Sequence, residues 1–144
     1  MARGWYVRRA TLVVAFVLTG AAATVAWAAA DSQRVFFTPG PNSASCEIDV
    51  RVAGLATETW CGVGPPRLPA SRAIGVTLTP SGKLVVCHGL RCVGNAPLST
   101  PMLHHGRSVA LGPFHCTSLR SGVRCLVSKL GHGFVLGARG LTRI

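Results

Sequence analysis

Acidic residues are scarce in this chain of 144 residues, which carries 15 Lys and Arg but only four acids: Asp31, Glu47, Asp49 and Glu58. Glycoside hydrolysis needs two carboxylates about 5 to 9 Å apart across a cleft. Glu47 and Asp49, on one face of a predicted strand, are a conceivable pair, although a solvated polar face beside Arg51 is the simpler interpretation. The net charge of +11 at pH 7 instead predicts attraction to anionic surfaces.

Aromatic residues are few as well. After the first 30 residues there is no tyrosine, and Trp60 is joined only by Phe36, Phe37, Phe114 and Phe134. Sugars and single-stranded nucleic acids are usually bound on exposed aromatic faces. These five side chains are about what the core of a small domain needs, so we expect them inside. The sequence therefore predicts no stacking platform on the surface and no specific nucleic-acid partner.

Several catalytic signatures are missing from the sequence. The chain has no G-x-S-x-G, no H-E-x-x-H and no Gly-rich phosphate loop ahead of a helix. A Ser-His-acid triad is recognised by geometry rather than by sequence, so it stays open as the catalytic alternative. The sequence thus assigns no catalytic residue, no metal site and no cofactor, and it favours a protein that is not an enzyme.

The first 30 residues have the composition of a secretory signal. Residues 1–9 carry three arginines and no acid, residues 10–30 carry no charge, and small-x-small patterns place cleavage after Ala28 or Ala30. The alternative is a retained N-terminal anchor, because an uncharged run of 21 residues is long enough to span a bilayer. With cleavage, residues 31–144 form the secreted or envelope-bound domain, which holds twelve Lys and Arg against four acids, a net charge of +8.

Short stretches of alternating apolar and polar residues are typical of β-strands. They cover residues 45–52, 74–78, 83–87, 114–116, 123–127 and 134–136. Pro80-Ser81-Gly82 is a favourable hairpin turn, whereas residues 62–73 and 94–106 have the composition of loops. No stretch has a sustained helical stripe. The sequence therefore predicts an all-β domain, a small antiparallel sandwich or partly open barrel of short hairpins, preceded by a helical signal segment.

Six cysteines allow fifteen disulfide pairings. Cys116 and Cys125 fall opposite one another across the predicted hairpin, at a spacing suited to a cross-strand bridge. Cys87 and Cys92 close a tight loop, which leaves the first two cysteines to each other. Neighbour geometry thus favours Cys46–Cys61, Cys87–Cys92 and Cys116–Cys125. Zinc ligation with His88 or His115 is the alternative, but export favours oxidation over thiolate ligation.

Three segments near the C-terminus are distinctive: Gly112-Pro113-Phe114-His115-Cys116-Thr117-Ser118, Ser121-Gly122-Val123-Arg124-Cys125 and Gly131-His132-Gly133-Phe134-Val135-Leu136. Together they resemble a family of small exported actinobacterial proteins catalogued as a domain of unknown function. The turn from Phe37 to Asn42 ahead of Cys46 is similar to the start of that family, apart from Pro41. The resemblance implies a secreted, six-cysteine, β-rich domain and implies no activity.

His132 is the most interesting single side chain, because flanking glycines let a backbone or a ligand approach closely. We therefore regard Gly131, His132, Gly133 and Phe134 as candidate functional residues. The alternative is a turn histidine that hydrogen-bonds locally. His104 and His105 are a poor chelating pair, because adjacent side chains on an extended chain point to opposite sides.

These observations favour an uncharacterised, non-catalytic secreted or cell-envelope protein that binds an anionic component, either a cell-wall polymer or a lipid surface. A secreted hydrolase that uses His132 is the first alternative. The second is a protein-binding effector or inhibitor that acts through residues 62–73 or 94–106. The sequence indicates no particular oligomeric state.

Overall fold

The computed structural model describes residues 33–40, 44–94 and 96–144. The predicted signal, its cleavage sites and the alternative membrane anchor therefore lie outside the described residues. Among the residues that are described, no helix is both long and apolar enough to cross a bilayer.

Two β-sheets account for most of the described chain. The first contains β1 (Gln33–Pro39), β2 (Ser45–Val50), β3 (Glu58–Val63), β4 (Ile74–Leu78), β5 (Leu84–His88) and β6 (Met102–Leu103), in the order β5-β4-β3-β2-β1-β6. The second is a meander of β7 (Ser108–Leu111), β8 (Phe114–Leu119), β9 (Gly122–Val127), β10 (Gly133–Gly137) and β11 (Gly140–Arg143), in the order β11-β10-β9-β8-β7. Every pairing is antiparallel except that of β1 with β6.

The inner faces of the two sheets share one hydrophobic core, so the predicted all-β sandwich is confirmed. Side chains alternate across each sheet, because successive residues of a strand point to opposite faces. The largest fully buried side chains come from both sheets and include Ile48, Val76, Leu78, Phe114, Phe134 and Leu136.

Two disulfides lie at the centre of this core. Cys46 is the cross-strand partner of Cys61, and Cys116 is the cross-strand partner of Cys125, with 4.1 Å between the Cα atoms in each pair. Cys61 Sγ lies 3.9 Å from Cys125 Sγ, so the two disulfides touch across the sandwich. This contact links the two sheets at their most buried point.

The third disulfide, Cys87–Cys92, is peripheral. It ties β5 to a short 3-10 turn at Leu90–Cys92 that packs on the outer face of the first sheet. All three disulfides expected from the sequence are therefore present, and the described chain has no free cysteine.

Several strand boundaries differ from the prediction. Strand β2 ends at Val50, not at residue 52, because Arg51 adopts a φ of 55° and its N–H donates to Thr57 Oγ1 at 3.1 Å. Strands β1, β3, β7 and β11 were not predicted. The predicted loop at residues 94–106 contains β6, two residues long, which pairs with the end of β1.

Candidate functional site

The three described carboxylates lie together on the outer face of the first sheet. Arg34 Nε lies 2.6 Å from Asp49 Oδ1 and 2.8 Å from Glu47 Oε1, and Glu58 is the cross-strand partner of Asp49. Asp49 is only 8% exposed. Glu47 and Asp49 are therefore tied to a shared cation on the neighbouring strand, which is the arrangement of an ion-pair network and not of a solvated polar face beside Arg51.

Burial and like charge raise the pKa of two of these carboxyls. Burial is the main cause for Glu47, where Asp49 adds to the rise and Arg34 opposes it. Burial is again the main cause for Glu58, with Asp49 as the second. The hydrogen bond to Asp49 is the main cause of a rise in the pKa of the Arg34 guanidinium above its ordinary value.

Glu58 provides a test of this electrostatic description. A carboxyl whose pKa is higher in the folded state binds its proton more tightly when folded, so its charge lowers stability above that pKa. We expect E58Q to increase the free energy of unfolding at pH 7 by about 0.5 kcal/mol. The gain should shrink as the pH falls through the raised pKa of Glu58, because the wild-type side chain then becomes neutral too. Urea denaturation at pH 7 and pH 4 measures it, and a pH-independent difference would contradict the description.

A cationic cleft lies at the end of the sandwich that holds the β8–β9 turn. Its volume is about 370 Å³, and its described lining is Gly40, Arg67, Met102, His104, His105, Leu119, Arg120, Ser121 and Ala138. Two arginines and two histidines thus converge on one cavity, and no carboxylate is among these lining residues. Nothing in the sequence predicts that these residues come together, because they belong to five separate segments of the chain.

Backbone hydrogen bonds fix the segment that carries the two histidines. Arg107 N–H donates to the carbonyl of His104 at 3.0 Å, which closes a turn, and Gly106 N–H donates to Ser118 O at 2.9 Å, which holds the turn against β8. Gly40 N–H donates to Leu103 O at 3.0 Å on the other side. The turn is therefore anchored to both sheets.

The expectation for His104 and His105 started from the wrong backbone conformation. It assumed an extended chain, whereas these residues begin a turn whose third residue, Gly106, has a φ of 78°. Both residues line the cleft. Arg120 Nε lies 3.5 Å from His105 Nε2 and donates to it, so the guanidinium is held beside the imidazole.

A second cavity lies on the outer face of the first sheet. Phe36, Glu47 and Trp60 are successive cross-strand neighbours there, on β1, β2 and β3. They line a groove of about 430 Å³ together with Arg91, Gly94 and the peripheral disulfide. The expectation that all five aromatic side chains would serve the core is therefore wrong: Phe37, Phe114 and Phe134 are in the core, whereas Phe36 and Trp60 are half-buried on the outer face.

The segment Gly131–Phe134 lies at the opposite end of the sandwich from the cationic cleft. The carbonyl of His132 accepts a hydrogen bond from Val127 N–H at 2.8 Å, and its side chain packs beside the β4–β5 turn, where a Cβ on Gly82 would lie 3.3 Å from His132 Nδ1. The imidazole is exposed, and no hydrogen bond joins it to a hydroxyl or carboxylate within the described residues. The geometry thus gives it no nucleophile to activate.

The other candidates in this segment have structural positions. Phe134 is fully buried in the core, and Gly133 is the first residue of β10, paired with Leu126. Gly131 has a φ of 69° in the turn before that strand. The glycines are therefore explained by strand packing and turn conformation.

The two predicted loops have different surroundings. The first, residues 62–73, includes the end of β3 and a 3-10 turn at Ala70–Arg72, and its Leu68 is buried. The second presents Leu98, which is 99% exposed, on a turn closed by Thr100 N–H donating to Pro97 O at 3.1 Å.

No cluster of three or more His, Cys, Asp and Glu side chains suited to a metal ion occurs within residues 33–40, 44–94 and 96–144. The described histidines and carboxylates are distributed over separate surfaces. The chain matches no family model, no curated protein and no solved structure.

Proposed function

We propose that this protein acts outside the cytoplasm as a non-catalytic binding protein, and that the cationic cleft takes an anionic group of a cell-envelope component. The observation that carries the proposal is the convergence of Arg67, Arg120, His104 and His105 on one cavity whose described lining residues include no acid. Arginine forks recognise the planar oxygens of phosphates and carboxylates, and histidines add further donors.

The distribution of charge over the rest of the molecule supports the same function. The described residues hold twelve Lys and Arg but only three carboxylates, and those three lie together beside Arg34 on the outer face of the first sheet. The cleft lies on another part of the surface and shares no lining residue with that face. An approaching anion is therefore attracted by the surface as a whole and meets no carboxylate among the lining residues that the structure describes.

Location outside the cytoplasm is consistent with three disulfides in a small domain. The ligand chemistry is an anionic oxygen group, which both lipid headgroups and charged wall polymers supply.

The family resemblance stays a prediction. A hydrolase based on His132 gains no support from the surroundings of that side chain.

Charge reversal in the cleft tests the proposal. The oxidised protein is sedimented with vesicles of zwitterionic lipid, with vesicles containing half anionic lipid, and separately titrated with soluble polyphosphate. We expect R120E to weaken anion binding about tenfold, which corresponds to about 1.4 kcal/mol. The vesicle and polyphosphate arms distinguish a lipid source from a polymer source.

The matched control is R124E, which makes the same change of charge on an exposed strand residue of β9 outside the cleft. It should weaken binding less than about twofold at physiological ionic strength, where charges beyond about 8 Å are screened. Equal losses for R120E and R124E would show that binding depends on net charge alone, and the proposed site would be wrong.

A further inference from the structure

We infer that the groove around Trp60 is a second binding site, and that its ligand is an uncharged saccharide that stacks on the indole ring. The inference does not depend on the anion site, because the two cavities have no lining residue in common. It rests on how the ring is held, on the polar groups beside it and on the balance of charge around it.

The Trp60 ring lies flat along the sheet. An ideal Cβ on Gly62 would lie 2.6 Å from Trp60 Cζ2, and one on Gly75 would lie 3.2 Å from Trp60 Nε1. Gly62 and Gly75 are cross-strand partners on β3 and β4, and positions on this face project away from the core. One face of the indole therefore covers two glycines on adjacent strands, and the other face is turned away from the sheet.

Residues 91–94, which include Cys92 of the peripheral disulfide, form a wall at the edge of this ring. A Cβ on Gly94 would lie 3.0 Å from the far end of the indole, and the carbonyl of Cys92 occupies the place of a Cβ on Gly75. Glycine at these positions is what lets the ring and the Cys92 backbone approach the sheet so closely. The side chain is thus preorganised, and a ligand need not order it on binding.

Polar groups flank the ring on two sides. Glu47 is the cross-strand partner of Trp60, and Arg91 belongs to the wall segment. Glu47 uses Oε1 toward Arg34, and a carboxylate has further lone pairs for other donors. Arg91 and the indole N–H of Trp60 form no hydrogen bond within the described part of the chain. An apolar face with a few donors and acceptors at its rim is the usual composition of a small-molecule site.

Charge decides which ligand fits. Aromatic faces bind both sugar rings and nucleobases, but a nucleic-acid strand brings a phosphate with each base. Glu47, Asp49 and Glu58 lie on this same outer face with Arg34, and Arg91 lines the groove, so three acids against two arginines give a polyanion no net attraction here. Arg91 in turn disfavours a cationic ligand at the other rim. An uncharged pyranose avoids both penalties: its C–H face stacks on the indole, and its hydroxyls donate to Glu47 and accept from Arg91.

The test is isothermal titration of the oxidised protein with neutral tetrasaccharides of β-1,4-linked glucose, β-1,4-linked N-acetylglucosamine and α-1,6-linked mannose. We expect at least one to bind with a Kd of about 1 mM or tighter. W60A should abolish the heat of binding, and W60F should retain part of it. G62A keeps the tryptophan but displaces its ring, so it should weaken binding at least fivefold if ring position matters.

V85A is the matched control, because Val85 is an exposed apolar residue on the same sheet outside the groove. It should leave saccharide binding unchanged, and thermal unfolding of each variant verifies that it is folded. The inference is overturned if none of the three saccharides binds, or if W60A and G62A bind as the wild type does. Stronger binding of a single-stranded oligonucleotide, lost in W60A, would also overturn it. R120E should bind saccharide normally, which separates failure of this site from failure of the anion site.

Discussion

Replacing Gly133 by alanine should prevent the protein from folding or lower its free energy of unfolding by more than about 4 kcal/mol. The Cβ of an alanine there would occupy the position of the carbonyl oxygen of Cys125 and would lie 2.8 Å from Leu126 Cα. Both are backbone atoms of β9, so no side-chain rotation can relieve the overlap. Strand β10 would have to move away from β9 and break the pairing at this point.

Strand β10 cannot move freely, because it is paired on both sides. Gly133 N–H donates to Ile144 O at 3.1 Å, and Ile144 N–H donates to Gly133 O at 2.9 Å, so a shift from β9 is transmitted to the end of β11. The loss is comparable with the whole stability of a small domain, about 5 to 15 kcal/mol. The yield of folded protein and urea denaturation measure the effect.

The neighbouring residues provide matched controls for Gly133. At Gly131 a Cβ meets nothing within 4 Å, but the φ of 69° makes alanine unfavourable by about 1 kcal/mol. H132A removes an exposed side chain and should change stability by less than about 0.5 kcal/mol. Similar effects for all three variants, or a severe loss of stability in H132A, would contradict this assignment of structural and surface roles.

Removal of either of the two central disulfides should cause the second largest loss in free energy of unfolding. In the chain-entropy model, the double variants C46A/C61A and C116A/C125A each lose about 3 kcal/mol, and the cavity left in the core adds to this. The cysteines involved are at most 1% exposed. We expect losses of about 3 to 5 kcal/mol for each central disulfide.

The peripheral disulfide serves as the comparison. C87A/C92A removes a disulfide between cysteines only five residues apart in the sequence, which predicts a loss of about 2 kcal/mol in the free energy of unfolding. Because Cys87 is exposed, its replacement leaves no cavity in the core. The central disulfides touch, with Cys61 Sγ 3.9 Å from Cys125 Sγ. The loss in free energy of unfolding when both are removed should therefore differ from the sum of the two separate losses. Guanidinium denaturation of the double variants and of the quadruple variant measures these losses in free energy of unfolding. A larger loss for C87A/C92A than for either central pair would contradict the described core.

The disulfide pattern could be predicted from the sequence because Cys116 and Cys125 face each other across a hairpin, Cys87 and Cys92 close a tight loop, and the two remaining cysteines pair by elimination. Cys46 alternates with Glu47 along a strand, and Cys116 and Cys125 are equidistant from a short turn, so the cysteines fall on inner faces. Other strands were harder to recognise. In β1 the adjacent Phe36 and Phe37 point to opposite faces, which conceals the alternation that would have marked the strand.

Neither cavity could be predicted, for two different physical reasons. The cationic cleft combines turns that are distant in the chain, such as Gly40, His104-His105 and Arg120, and sequence periodicity carries no information on which turns meet. The groove depends on Trp60 facing outward. That direction was available from its position next to Cys61 on an alternating strand, but composition alone suggested a core residue.

The most direct test of the central claim, a localised anion site on a disulfide-linked sandwich, is a nuclear magnetic resonance titration of the oxidised protein with inorganic phosphate and with a short-chain anionic lipid. We predict saturable shifts in the amides of His104, His105, Arg120 and Ser121, with small changes at strand residues outside the cleft, such as Arg124 on β9. Weak shifts spread over all arginine-bearing surfaces, with no saturation in the cleft, would contradict the claim.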